Sequence, residues 1–307
     1  MHSRQLLRIG FFGAGRVGQG LAIALGEAGH AVVAAGSRSR SSAEALAARV
    51  PGCVVADSPQ SLVNACDLLF LTVPDDAIAT AAASLPWRRG VLAVHTSGAA
   101  ELAVLDAARQ AGADVGAFHP LVMFSDPQVA ARALAGSTVA VEAASTGAAA
   151  TLESIARGIG ANPIAVPAGA RGAYHASAHY AAGFLCVLMN EAEEIWRRAG
   201  IGGPGDASRA LLPLARGALE AVARDGPAAA MQGAIARGDI GTVKKHLQAL
   251  GALDPSLGAL DPSLGALDPA MDALYRSIAR RAVDIALGSG RIDAGRADEL
   301  QRLLHSR

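Results

Sequence analysis

The residues that could do chemistry in this chain stand where apolar runs break off. "VLAVHTSGA" ends in His95, Thr96 and Ser97, and "VGAFHPLVMF" carries His119. Further on, "RGAYHASAHYAAGFLCVLMNEAEEIW" spaces Arg171, His175, His179 and Gly183 four residues apart. That spacing puts them on one face of a helix, and the face continues through Cys186 and Asn190. A polar stripe on an otherwise apolar helix needs partners or a ligand. Imidazole exchanges protons near neutral pH, so His175 and His119 are candidate general acids. Arginine stays protonated, so Arg171 can orient a carboxylate but cannot deliver a proton. No glutamate or cysteine accompanies the histidines at ligand spacing, and a metal centre is not expected. Cys53, Cys66 and Cys186 lie far apart in apolar surroundings and read as buried small hydrophobes. Asp239, Thr242 and His246 in "ARGDIGTVKKHL" fall near a helix start, where an aspartate is commonly a cap.

A second constellation concerns what these groups would act beside. "RIGFFGAGRVGQGLAIAL" holds Gly13, Gly15 and Gly18 in the pattern G-x-G-x-x-G, after a strand and at the opening of a helix. In that context Gly13 permits a tight turn, Gly15 lets the backbone approach a pyrophosphate, and Gly18 allows close helix–strand packing. Ala14, Arg16 and Val17 fill the positions between, and the helix N-terminus offers unpaired N–H groups to phosphate. About 20 residues on, an NAD site usually places an acidic residue against the ribose. Here the strand "AVVAAG" runs into Ser37, Arg38, Ser39 and Arg40, with no carboxylate before Glu44. A hydroxyl and a guanidinium suit a 2′-phosphate, so NADP is expected; the plain alternative is a solvated basic loop. "LTVPDDAI" ends a later strand, and Val73, Pro74 and Asp75 are expected beside the cofactor, because ligands bind beyond the carboxyl ends of such strands.

Two kinds of periodicity must position these groups. Up to Pro167, short apolar runs alternate with helical segments, which implies a doubly wound, mostly parallel sheet covered on both faces. Beyond it the strand signals stop, and an all-α region follows. The expected division is therefore residues 1–167, which bind a dinucleotide, and a helical 168–307, to which the resemblance named below assigns substrate and dimerisation. Of 307 residues, 51% are hydrophobic and 18% charged, with 27 basic and 27 acidic. That balance allows a large core and excludes a general affinity for nucleic acid or acidic membranes. "MHSRQLLRIGFFGAG" enters a strand pattern without a signal core, and no uninterrupted apolar stretch reaches the roughly 20 residues of a membrane span. A cytoplasmic protein is expected. Residues 251–271, "GALDPSLGALDPSLGALDPAM", repeat a seven-residue unit whose prolines forbid a continuous helix. A tolerated duplication in a surface loop is expected, at a closure cost of about 1 kcal/mol.

"GAGRVG", "VPDDAI", "HTSGA", "FHPL", "YHASA" and "ARGDIGTVKKHL" together span most of the chain. On these pieces it resembles the 6-phosphogluconate dehydrogenase-like superfamily, and more closely a group of bacterial Rossmann-like oxidoreductases related to ketopantoate reductase, pyrroline-carboxylate reductase and prephenate dehydrogenase. The resemblance implies a Rossmann domain followed by a helical domain, a homodimer, and hydride transfer between NADP and a small carbonyl, hydroxyl or imine compound, expected to bear a carboxylate. A ketopantoate-like 2-keto acid is one such substrate. It further implies that Ser97 and His119 contact substrate. Arg171 and His175 fall where related dehydrogenases carry a lysine and an asparagine. Arginine in place of a proton-donating lysine is the main departure, and it keeps open a non-catalytic NADP-binding sensor or assembly protein. A deazaflavin-dependent NADP oxidoreductase is a third reading, since "GSRS" resembles those enzymes too.

Overall fold

A computed structural model describes residues 7–252 and 270–306. The seven-residue repeat lies outside the described residues apart from its two ends. Eight strands form one sheet in the order β3-β2-β1-β4-β5-β6-β7-β8. They are β1 (Arg8–Phe12), β2 (Ala31–Gly36), β3 (Val54–Val55), β4 (Leu68–Leu71), β5 (Leu92–His95), β6 (Asp114–Pro120), β7 (Thr138–Ala143) and β8 (Asn162–Ala165). Strands β1 to β6 run parallel, β7 reverses against β6, and β8 runs parallel to β7. The helices between them are α1 (Arg16–Glu27), α2 (Arg40–Ala47), α3 (Pro59–Ala65), α4 (Ile78–Ser84), α5 (Asp106–Gln110), α6 (Pro127–Leu134) and α7 (Thr146–Gly158).

The apolar strand runs make the sheet's two covered faces. Ile9, Phe11, Phe70, Val94 and Phe118 pack with α1 and α7 on one side. Leu69, Leu71, Ala93 and Val115 pack with α3, α4 and α5 on the other. Phe11, Phe70 and Phe118 form a stacked and edge-on row through the first layer, with centroids 5.3 and 5.5 Å apart. Burying such side chains contributes roughly 2 kcal/mol each. The first part of the chain is thus a Rossmann-like, mostly parallel α/β domain.

The chain divides into two compact units, residues 1–181 and 182–307. Helix α8 (Arg171–Ala181) therefore goes with the sheet, 14 residues beyond the boundary at 167 at which strand signals end. The physical reason is Arg171, whose side chain is sealed among groups of β5 and β7. The helix expected to run on through Cys186 and Asn190 stops at Ala181, and Ala182 leaves helical geometry before the next helix. The polar stripe is consequently confined to α8.

Every described element of the second unit is a helix: α9 (Gly183–Arg198), α10 (Asp206–Asp225), α11 (Pro227–Ala230), α12 (Ile240–Ala252), α13 (Ala270–Gly288) and α14 (Ala294–His305). Val243, Val283, Ala286, Leu300 and Leu304 of α12, α13 and α14 make its core. Cys186, expected to be buried, is exposed on α9, which buries no residue. Cys53 and Cys66 are buried, and burial pushes their thiols up to about 11 and about 12. No helix among the described residues is long and apolar enough to cross a membrane.

Candidate active site

The glycine turn is built from three strand ends. Gly13 N–H donates to the Gly36 carbonyl of β2 at 2.8 Å, and Thr72 N–H at the end of β4 donates to Phe12 of β1 at 2.9 Å. The Thr72 hydroxyl then donates to the Gly13 carbonyl at 2.5 Å. Gly13 needs its positive φ of 105° to make this turn. A Cβ on Gly18 would lie 2.5 Å from the Gly13 carbonyl oxygen and 2.7 Å from the Thr72 hydroxyl. Gly15 differs: it is the N-cap of α1, no side chain caps the helix, and nothing lies within 4 Å of where its Cβ would be. An open cradle at a bare helix N-terminus fits a pyrophosphate.

A cleft of about 330 Å³ continues from this turn. Of the residues expected at the cofactor, Gly13, Ala14, Gly15, Ser37, Arg38, Val73 and Pro74 line it. Thr72, Thr80 and Ser84 line it as well and were not anticipated. Arg16 and Val17 form the first turn of α1, and Gly18 lies beneath the turn. Ser39 and Asp75 have partners within the protein. Ser39 is the cap of α2, its Oγ accepting from Ser42 N–H at 3.3 Å. Asp75 does not line the cleft; its carboxylate accepts from the Ser97 hydroxyl at 2.5 Å. Arg40 pairs with Glu44 at 3.1 Å, while Arg38 reaches no carboxylate among the described residues. The basic charge left at the end of β2 is therefore that of Arg38.

A second cluster sits at the ends of β5 and β6. His119 Nδ1 lies 2.8 Å from the Tyr174 hydroxyl of α8, and the rings meet edge-on at 89°. The His175 ring stands 5.7 Å from that of His119. Both rings crowd Gly98, where a Cβ would come within 2.5 Å of His175 Cδ2 and 2.8 Å of His119 Nε2. Burial, then the neighbouring His175 and Arg171, lower His119 to about 4. Burial pushes the Tyr174 phenol up to about 12. His95 is fully buried and lowered to about 3, first by burial, then by Arg171 and His119; neither ring nitrogen has a partner in the structure. His179 is exposed and outside the cluster.

Ser97 and Arg171, expected at the substrate, are engaged within the protein. Ser97 is buried, donates to Asp75, and accepts from the Ala99 and Ala100 N–H groups at 3.2 and 3.0 Å. Its hydroxyl is used up in holding the turn after β5 against the loop after β4. Arg171 is 0% exposed. It donates to the Ser97 carbonyl at 2.6 Å and to Glu142 of β7 at 3.3 Å. Glu101 accepts from Gly169 N–H at 3.2 Å, which fixes the approach to α8. Arg171 thus locks the helix that presents Tyr174 and His175 and offers no free charge to a carboxylate.

Tyr174 and Gly98 were not anticipated as site residues, although both stand inside quoted motifs. The available signal was helical: Arg171, Tyr174 and His175 are i, i+3 and i+4. Asp239 turned out to be a cap, accepting from Thr242 N–H at 3.0 Å and from its hydroxyl at 2.6 Å. His246 pairs with Tyr275 at 2.8 Å within the second unit. Among the described residues, no group of three or more histidine, cysteine or acidic side chains could hold a metal ion.

Fold and site together define a dinucleotide cradle and a histidine–tyrosine cluster, both at the carboxyl ends of strands in one Rossmann-like unit. Comparison agrees with that class. A Rossmann-like domain model matches residues 2–120, and a model described as a domain of unknown function, DUF2520, matches residues 137–282. No curated protein matches the sequence. Among solved structures, a Bacteroides fragilis protein provisionally described as an NADP oxidoreductase is 25% identical, with TM-score 0.71, covering 90% of this chain and 97% of its own. An imine reductase variant from Myxococcus stipitatus in complex with NAD+ is 19% identical, with TM-score 0.59, covering 96% and 99%. A pyrroline-5-carboxylate reductase from Coxiella burnetii is 14% identical, with TM-score 0.57, covering 96% and 99%.

Proposed function

We propose that the protein is an NADP-dependent oxidoreductase acting on a small, uncharged carbonyl or imine compound. The observation that carries this reading is the open cradle over Gly15 at the bare start of α1. It opens on a cleft that Ser37 and Arg38 also line. The backbone of the Gly13–Gly18 turn would hold the pyrophosphate, and Arg38 the 2′-phosphate. Glu44, the first carboxylate after β2, is tied to Arg40 and does not compete for a ribose hydroxyl. The provisional description of the B. fragilis protein as an NADP oxidoreductase supports the same reading.

When bound, a nicotinamide cofactor supplies hydride to an electrophilic carbon. The chain's own residues then have to hold the substrate and provide a proton. His119 and His175 stand together beside Gly98, with Tyr174 behind His119, and an imidazole N–H there suits a carbonyl oxygen or an imine nitrogen. The carboxylate expected on the substrate loses its anchor once Arg171 is buried against Glu142. The test is consumption of NADPH by the purified protein across a panel of ketones, aldehydes and cyclic imines. Turnover of an uncharged member is expected. No turnover with any member would leave a non-catalytic NADP-binding protein instead.

A further inference from the structure

If the protein is such an oxidoreductase, its reaction needs one proton for each hydride, and the geometry around His119 identifies the source. His119 Nδ1 and the Tyr174 hydroxyl share one hydrogen bond of 2.8 Å. A phenol is the better donor and an imidazole nitrogen the better acceptor, so Tyr174 O–H donates to Nδ1. A neutral His119 then carries its single proton on Nε2. That atom has no partner among the described residues, yet it is not sealed in the interior. It packs against Gly98, where an added Cβ would lie only 2.8 Å from it and 2.5 Å from His175 Cδ2. Only a glycine fits beside the two rings, and Nε2 carries its proton without a partner among the described residues.

We propose that Tyr174 and His119 form a proton relay, in which His119 Nε2–H passes to the heteroatom of a bound substrate while the Tyr174 hydroxyl proton moves to Nδ1. Two bonds break, Nε2–H and the phenolic O–H, and two form, heteroatom–H and Nδ1–H. The imidazole stays neutral throughout, and the negative charge comes to rest on the phenolate. The Arg171 guanidinium favours that phenolate, since it acts against burial in setting the Tyr174 ionisation. The relay resets when Nε2 takes a proton from water and the Nδ1 proton returns to the phenolate. The balance over a cycle is one proton from solvent to product.

The groups facing His119 support a neutral relay over an imidazolium donor. They are Arg171 and His175 from α8, Asp75 from the loop after β4, and, across from β5, His95. Glu142 of β7 is engaged by Arg171. Burial and the two basic neighbours keep His119 at about 4, so the imidazolium is a minor species at pH 7. Tyr174, at about 12, keeps its proton to high pH. His119 is thus the catalytic residue, and Tyr174 acts through it.

Two readouts test this. The first is nitrogen NMR of ring-labelled protein at pH 7, which needs no turnover. The relay requires an unprotonated Nδ1 and a protonated Nε2 on His119, and in Tyr174→Phe that preference should relax toward a mixture. The second is NADPH-linked turnover of the best substrate. The wild-type kcat should stay flat from about pH 6 to about pH 9. Tyr174→Phe should lower kcat at least about 100-fold, the usual share of a general acid, with KM and NADPH affinity nearly unchanged. A protonated Nδ1 in the wild type, a kcat that falls as pH rises through this range, or near-normal turnover in Tyr174→Phe would overturn the relay alone. Absence of turnover in the wild type would instead remove the oxidoreductase reading, and the relay with it.

Discussion

Arg171 shows how far a residue type can mislead when its surroundings are unknown. Its place on the i, i+4 stripe with His175 was legible, and so was its inability to give a proton. Its burial was not, because the partners come from far along the chain: Ser97 at the end of β5 and Glu142 on β7. Glu142 is itself raised by burial, against the opposing pull of Arg171, so each charge depends on the other. Breaking a buried pair by removing one partner typically costs about 3–5 kcal/mol. Arg171→Met should therefore lower the free energy of unfolding by about 3 kcal/mol in a urea titration. A substrate clamp would behave oppositely, with stability intact and KM raised. Ser97 carries the same lesson. A hydroxyl after a strand end reads as a ligand contact, yet here Asp75 and two backbone N–H groups saturate it.

At the scale of elements, the strands were legible because buried parallel strands are written as continuous apolar runs. Their directions were less so. The strand–helix–strand unit of β7, α7 and β8 was recognisable, but the reversal between β6 and β7 was not, because an apolar run carries no sign of strand direction. Asp126 caps α6, accepting from Gln128 and Val129 N–H at 2.9 Å, and Gly20 of α1 lets Phe124 and Pro127 approach closely. The glycine turn was legible in full, and its three glycines now separate by role. Gly15 has an ordinary φ of −73° and open space at its Cβ. Gly15→Ala should fold with an unchanged melting temperature and bind NADPH at least about tenfold more weakly, about 1.4 kcal/mol. Gly18→Ala should lose both, because its Cβ would strike the Gly13 carbonyl at 2.5 Å and force the backbone apart. Equal melting temperatures for the two variants, read by calorimetry, would contradict this division of labour.

For the whole molecule, the switch from strand to helical periodicity was visible in the sequence, and two units exist. Where one ends was not visible, because α8 has the periodicity of the second unit and the contacts of the first. Periodicity also says nothing of what a helix faces: α10 has a clear apolar stripe, yet it buries no residue and leaves Leu212, Leu214, Leu219 and Val222 exposed. The central claim, however, belongs to the first unit: the cradle over Gly15 opens on a cleft lined by Arg38, which would hold a 2′-phosphate. It is tested most directly by titrating NADPH and NADH into the wild-type protein and into Arg38→Ala by calorimetry. NADPH should bind the wild type at least about tenfold more tightly than NADH, about 1.4 kcal/mol, and Arg38→Ala should erase that margin. Equal or tighter binding of NADH by the wild type would contradict the account.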